Sequence, residues 1–403
     1  MSKICVIGAG IVGSLAAREL QKAGHQVTLI DRDDPGNGCS YGNACLISPD
    51  AVVPFLIPAS VRSLARWLID PVSPLAIRWQ DLPDTAPWLI RAVAAGSRKS
   101  ALRTGRAMAK LHRGSLDAYR ALLNEVGQPE LLVSCGQLQV SRKADAFVLD
   151  SVTRELREEA GVETQVIPAS ELRKLVPSLS SEYKSGLFFP RNGHTLSSKG
   201  LVAAIVADFA ARGGNLLRNT VQQIERNESG RVSGVRTNGS RLHADHVVLA
   251  AGVESGDLLI QHGIRVRVRA ERGYHLTIPF AGIDVPFPIS NRDYGFAVTP
   301  VADGLRLAGT IEFARHHSPP DWCRADVLGQ HAMQMFPGIA IEGAKRWIGS
   351  RPSFPDGIPM IGPCSGLPGL TLAFGNGHFG MTAAPEMARR VCNAVSGVGD
   401  ILA

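Results

Sequence analysis

The stretch that most constrains this chain is its opening, KICVIGAGIVGSLAARELQKAGHQVTLID, residues 3–31. Ile4, Val6 and Ile7 read as a short buried strand, and Gly8, Gly10 and Gly13 follow at G-x-G-x-x-G spacing. Val27 to Ile30 read as a second strand that ends in Asp31. Gly8 permits a tight turn, Gly10 lets a pyrophosphate approach the backbone, and Gly13 lets helix and strand pack closely. A helix starting near Ile11 aims its free N–H groups and positive dipole end at phosphates. Asp31 lies about twenty residues on, where a carboxylate meets ribose hydroxyls. Glycines alone are a weak signal, but here they sit between two apolar runs with the acid in register. The chain therefore opens with a βαβ unit for a dinucleotide. Nicotinamide and flavin are both open at this point.

Length and charge bound the rest. The 403 residues suffice for two domains with sizeable cores. Lysine plus arginine is 43 and aspartate plus glutamate 36, a net +7 that favours anionic partners. The seven cysteines (Cys5, Cys39, Cys45, Cys135, Cys323, Cys364, Cys392) are scattered and contain no C-x-x-C, so zinc and iron–sulfur sites are unsupported and no metal is expected. Cysteine usage fits a reduced, cytoplasmic setting. The apolar N-terminus lacks a basic n-region and is used by the βαβ motif, so it does not read as a signal peptide. No run of about 18 uncharged apolar residues exists to span a membrane.

Along the chain, RDDPGNGCSYGNACLISPD after Asp31 is a loop rich in small residues, able to wrap a cofactor or to stand as an exposed turn. In PASVRSLARWLID, Val61, Leu64, Ala65, Leu68 and Ile69 share one helical face, with Arg62 and Arg66 off it and Trp67 near the opposite boundary. Trp79 and Trp88 follow in a proline-broken stretch, then GSRKSALRTGRAMAKLHRG carries Arg98, Lys99, Arg103, Arg106, Lys110 and Arg113 with no acid among them. A solvated helix face and docking on an anionic membrane surface compete here; nucleic acid is not expected, since no recognition motif accompanies the charge. CGQLQVSR alternates as a strand, and SSKGLVAAIVADFAARGG is a helix with a glycine stop. FAVTPVADGLRLAGT is a hairpin around Asp303–Gly304, within a strand-rich region spanning 263–341. RWIGSRPSFPDGIPMIGP reads as a structured loop, and the C-terminal stretch as strand, turn, helix. The fold class is α/β plus α+β: a discontinuous Rossmann-like domain from 1–50, 185–262 and 342–403, and a substrate domain on a mixed or antiparallel sheet from 51–184 and 263–341.

Two features bear on flavin against nicotinamide. HVVLAAGVES is a buried strand running into Ala251–Gly252, a small turn able to sit beside a pyrophosphate. GNGHFG, Gly375 to Gly380, repeats the glycine spacing, but only the 23 residues 381–403 follow, enough for one helix and no returning strand. It is a decoy as a second dinucleotide site. As a turn opening a helix, it could instead present a positive N-terminus to a flavin's pyrimidine edge, where reduction gathers negative charge.

With these segments in hand, the chain resembles FAD-dependent amine and D-amino-acid oxidoreductases of the D-amino-acid, glycine and sarcosine oxidase-like family. Within that family it resembles bacterial D-amino-acid dehydrogenase small subunits. The carriers are VIGAGIVG, SYGNACLISP, PLAIRW, RGYHLTIP, RPSFPDGIPMIGP and GNGHFGMT. The resemblance spans essentially the whole length. It implies FAD held by Gly8, Gly10, Gly13 and Asp31, with Ser40, Asn43 and Ala44 on the loop beside the flavin. It implies Gly252 at the pyrophosphate turn, Val221 meeting adenine through its backbone, and Gly377, His378 and Gly380 at the pyrimidine edge. Arg351 matches the arginine that holds a substrate carboxylate, a role that suits a bidentate fork. Tyr274 and His275 fall where the family places substrate-contacting side chains; His378 is expected to touch cofactor rather than act as a base.

Departures qualify the likeness. Sarcosine oxidases carry a flavin-linking cysteine where Gly349 stands, so non-covalent FAD is expected, and Cys364 lies beyond that block. NGHT at 192–195 and GMTAAP differ from the usual dehydrogenases. The expected reaction is hydride transfer from the α-carbon of a D-amino acid or cyclic imino acid to flavin N5, with electrons passed to a quinone or other acceptor. Alternatives are an oxidase that makes peroxide, and a flavin-bearing subunit that needs a partner subunit. A peripheral contact at the inner face of the cell membrane would come through residues 55–115.

Overall fold

The computed structural model describes residues 1–58, 60 and 73–397. Its first strand, Lys3–Ile7, is apolar on both faces and is covered on both. Ile4 and Val6 point into one core cluster, while Cys5 and Ile7 point into another. Such a strand belongs in the middle of a parallel sheet. It lies between Gln26–Asp31 and His246–Leu249 in a six-stranded sheet ordered Asn215–Arg218, Gln26–Asp31, Lys3–Ile7, His246–Leu249, Leu370–Phe374, Met360–Pro363. All pairings are parallel except the last. Helix Ile11–Lys22 packs between helices Ser198–Ala211 and Gly380–Val395 on one face. Ser197 caps helix Ser198–Ala211, its Oγ accepting the Gly200 N–H at 2.9 Å.

The other large unit is a nine-stranded mixed sheet. Its path runs Lys345–Ser353, Arg269–Ile278, Gly304–Phe313, Phe296–Val301, Ile289–Asn291, Gln137–Ser141, Ser185–Phe189, Gln165–Pro168, and Leu75–Ile77 joins Gly304–Phe313 from the side. The hairpin read around Asp303–Gly304 forms as Phe296–Val301 against Gly304–Phe313. Helix Cys323–Met335 covers this sheet.

Three expectations change. RWIGSRPSFPDGIPMIGP is not a loop: Lys345–Ser353 pairs along its whole length with Arg269–Ile278. Pro352, which lacks an N–H, is tolerated because this strand lies at the sheet edge. Ser185–Phe189 and Lys345–Ser353, grouped by sequence with the nucleotide-binding segments, both pair in the nine-stranded sheet. Conversely, Leu111, Leu116, Tyr119 and Leu123, from the segment assigned to the substrate domain, join Ile4 and Leu15 in the first sheet's core. Tyr119 Oη donates to the Met381 carbonyl at 2.7 Å. Chain order is a poor guide here because the segments interleave. We propose the two-unit division with these elements moved across.

The proline-broken stretch around Trp88 is a helix, Leu82–Ala95, with Pro87 inside it. The basic run forms helix Arg98–His112. Its charge is met by acids from elsewhere: Arg98 and Arg106 pair with Glu155, Arg106 also with Glu159, and Arg103 with Asp356. The amphipathic face read at Val61, Leu64, Ala65, Leu68 and Ile69 lies outside the described residues. Among the described residues, no helix is long and apolar enough to cross a membrane.

Candidate active site

Between the two sheets runs a cleft of about 1260 Å³. Its phosphate end is built by crowding. Gly8 has φ +103°, and a Cβ there would lie 2.4 Å from the Ala250 carbonyl oxygen. A Cβ on Gly13 would lie 1.8 Å from the Gly8 carbonyl oxygen. No side chain fits either position, so the turn stays bare and the N-terminus of helix Ile11–Lys22 opens on the cleft. Ser40 Oγ accepts the Ile11 N–H at 2.9 Å, which brings the loop after Asp31 onto that N-terminus. Asp31 lines the cleft, and its carboxylate orders the turn: Oδ2 accepts the Ala9 N–H at 2.6 Å and Oδ1 the Asp33 N–H at 3.0 Å. Beside it, Glu254 joins Arg32 and His316, at 2.8 Å and 3.1 Å. The His316 hydrogen bond and the Arg32 charge hold Glu254 below the usual carboxylate range against the opposing effect of burial. Gly10, Asn43, Ala44, Val221, Gly252, Gly377, His378 and Gly380 all line the same cleft. Bare glycine turns and a helix N-terminus that opens on a large cleft fit a dinucleotide.

The loop 40–45 is clasped from below by a residue the sequence did not single out. Arg306, 3% exposed, donates through Nη1 to the carbonyls of Tyr41 and Asn43 at 2.8 Å and 3.1 Å and to Ser198 Oγ at 3.1 Å. An arginine inside an alternating strand reads as an outward-facing charge, so no sequence signal marked it.

Arg351 also lines the cleft. Its guanidinium lies flat over Gly273, where a Cβ would stand 2.2 Å from Cζ. Nη1 donates to the Thr310 carbonyl at 3.2 Å, and Thr310 holds the left-handed φ of +54°. Burial lowers the Arg351 pKa, while the charge of Glu271, its register partner, opposes the fall. Glu271 in turn accepts from or pairs with His378 Nε2 at 2.9 Å. His378 stacks on Phe55 with 5.8 Å between ring centres. The carboxylate-binding candidate and the glycine turn before helix Gly380–Val395 are thus one connected cluster.

Tyr274 and His275 do not join it, because their strand is covered on both faces. Tyr274 points into the core of the second sheet, where Oη donates to Glu312 Oε2 at 2.6 Å and accepts the Asp321 N–H at 2.9 Å. His275 is 1% exposed and sits under Trp347, stacked at 4.9 Å with 15° between planes. Trp347, stacked on His275, is among the aromatic residues that line the cleft. Its indole needs two glycines: a Cβ on Gly42 or Gly349 would come within 1.7 Å or 2.0 Å of the ring. Gly349, the position of a flavin-linking cysteine in sarcosine oxidases, is therefore roofed by an indole.

Comparison with known proteins agrees with this architecture. The family model described as DAO, FAD dependent oxidoreductase, matches residues 3–394. A D-amino-acid oxidase of Bradyrhizobium diazoefficiens is 34% identical over 98% of this chain and 95% of its own length. A D-amino acid dehydrogenase of Rhodopseudomonas palustris is 31% identical over 96% of this chain and 92% of its own. Among solved structures, glycine oxidase from Bacillus cereus superposes with a TM-score of 0.75 at 18% identity, covering 99% of this chain and 98% of that one. L-proline dehydrogenase from P. horikoshii gives 0.74 at 19%, covering 100% and 95%. A cradle of bare glycine turns, a cleft between two sheets and a family match over nearly the whole chain lead to one conclusion: this chain belongs to the DAO family of FAD-dependent oxidoreductases, and FAD is its cofactor.

Proposed function

We propose that the chain oxidises a D-amino acid, or a cyclic imino acid such as a D-proline derivative, at its amine-bearing carbon. FAD is held non-covalently, and the electrons leave to a quinone or a similar acceptor. The observation that carries this reading is the Arg351 guanidinium, laid on Gly273 in the cleft wall beside the Glu271–His378 pair. A planar fork of donors binds a carboxylate bidentately and fixes the neighbouring carbon. Glu271 balances the Arg351 charge from beneath, so a carboxylate is bound without drawing the arginine out of place. Bound FAD supplies a two-electron acceptor.

The chemistry asks little more of the protein. The substrate enters with a neutral amine; the α-C–H bond breaks with its electron pair, a C=N bond forms, and nitrogen gives up a proton. An open-chain imine then hydrolyses in water to a keto acid and ammonia, whereas a cyclic one persists. The relatives named as D-amino acid dehydrogenases and as D-amino-acid oxidase support the substrate class. Trp347 over Gly349 supports a flavin without a covalent link.

The test is anaerobic bleaching of the bound flavin by D- and L-amino acids and hydroxyprolines added singly. Bleaching by the D series is expected. A flavin that only L-amino acids reduce, or that none reduces, would overturn the reading. Readmitting oxygen or a soluble quinone then identifies the acceptor, and peroxide formed at the turnover rate would replace the quinone with oxygen. Sedimentation with anionic vesicles tests the membrane contact that a quinone acceptor would call for.

A further inference from the structure

The cleft that holds Arg351 continues to a wall formed by Asp50, Arg157, Phe189, Asn192 and Arg292. Arg157, from helix Ser151–Ala160, is only 8% exposed. Its guanidinium lies 5.1 Å over the Phe189 ring, and its Nε and Nη1 are buried with no hydrogen-bond partner among the described residues. Asp50 is 4% exposed. Its Oδ1 takes Arg191 Nη2 at 2.5 Å, while its Oδ2 is buried and unpartnered. Asn192 steadies this arrangement: its Oδ1 accepts the Asp50 N–H at 3.3 Å, and its Nδ2 donates to Gln137 Oε1 at 2.9 Å. Burial pushes the Arg157 pKa down and the Asp50 pKa up, and each charge partly offsets the other's shift. Yet the ion pair Asp50 makes among the described residues is with Arg191, not Arg157.

So behind one wall of the cleft lie unmatched guanidinium donors and an unmatched carboxylate oxygen, close enough for each charge to act on the other but with no ion pair between them. Buried polar groups are normally satisfied, and leaving them unmade is expensive. A carboxylate entering here would face Asp50 Oδ2. An ammonium group would face Arg157, Arg191 and Arg292. A neutral group that carries C=O and N–H together satisfies both sides.

We propose that Arg157 and Asp50 form a second subsite of the substrate cleft, which reads the far end of the substrate side chain and favours a carboxamide or ureido group. This inference rests on the reading that the cleft binds an amino acid through Arg351.

The test uses the FAD-loaded enzyme. Flavin reduction is measured with D-asparagine, D-glutamine and D-citrulline, with apolar D-amino acids of matching length, and with D-glutamate. At least one amide or ureido substrate should exceed its apolar counterpart in kcat/KM by about tenfold, since a site built to hydrogen-bond discriminates against the analogue that cannot. The side-chain length at which the gain appears measures the span from Arg351. In Arg157→Met that ratio should fall to about one, and Arg157→Lys should restore part of it. Met keeps the stem over Phe189, and no protein partner is orphaned, so the variant should fold; an unchanged Tm confirms it. Equal rates for amide and apolar substrates, a ratio that survives in Arg157→Met, or a clear preference for D-glutamate would each overturn the subsite. If apolar D-amino acids reduce the flavin and amides gain nothing, only this inference fails. If no amino acid reduces it, the reading of the cleft fails first.

Discussion

His378 Nε2 and Glu271 Oε2 stand 2.9 Å apart, joining the glycine turn before the C-terminal helix to the strand beneath Arg351. Burial alone would raise the Glu271 pKa, but the His378 hydrogen bond, its charge and that of Arg351 hold it below the usual carboxylate range. A depressed carboxylate stabilises the fold above its ordinary pKa and is lost as pH falls through the lowered one. His378→Ala should therefore lower stability near neutral pH by about 1–3 kcal/mol, the range for a buried group left unmatched. His378→Gln, which can still donate to Glu271, should recover part of it. Urea titrations of the three proteins decide this, and equal midpoints would show the pair to be energetically idle.

Arg351→Ala should raise KM for the preferred D-amino acid and lower kcat/KM by roughly 100-fold or more, as expected when about 3 kcal/mol of charge-assisted binding is lost. Arg351→Lys should sit between, because an ammonium lacks the planar fork. A normal KM in the alanine variant would remove Arg351 from the substrate.

Gly349 predicts two things. Acid precipitation should release all the flavin into the supernatant, since no cysteine occupies this position. Gly349→Ala, whose Cβ would lie 2.0 Å from the Trp347 ring, should cost about 1–3 kcal/mol by overpacking. Combining it with Trp347→Leu should restore stability relative to the single variant. Flavin that stays with the acid pellet would contradict the first expectation, and an unchanged Tm the second.

Arg306 holds the loop beside the flavin through backbone carbonyls rather than an acid. Arg306→Leu should weaken FAD retention and lower stability by about 2–4 kcal/mol, because several charge-assisted bonds go at once. Apoprotein titrated with FAD, followed by flavin fluorescence, reads the affinity. An unaltered affinity would reduce Arg306 to a packing residue.

Burial holds His112 and His194 at about 4 and His275 at about 3, so all three are neutral in the fold at neutral pH. Unfolded, each would take a proton near pH 6.5. Between those values the unfolded chain binds more protons, so stability rises with pH and is lost as pH falls from about 6.5 towards 4. At pH 5, each should cost on the order of 1–2 kcal/mol relative to pH 7. Urea unfolding at pH 7, 6 and 5 measures the slope. A flat profile above pH 5, where most carboxylates are still ionised, would show that these histidines are solvated.

Local chemistry made much of the site legible in the sequence. The glycines at 8, 10 and 13, with Asp31 beyond them, define a turn that no other residues could form, and the turn is present with the crowding its spacing requires. Ser40, Val221, Gly252, Arg351 and His378 meet along one cleft with that turn. Tertiary structure decided the rest. Tyr274 and His275 carry the right chemistry, but packing on both faces of their strand withdraws them from the cleft. Trp347 takes the wall only because two glycines distant in the chain, Gly42 and Gly349, leave room for its ring. Arg306, Arg157 and Asp50 look like ordinary charges in sequence. Burial against partners hundreds or dozens of residues away is what turns one into a clasp and leaves the other two with unmatched atoms. Sequence spacing governs turns and local elements; which face of a strand is covered, and which buried charge goes unpaired, depends on the elements that come to lie across it.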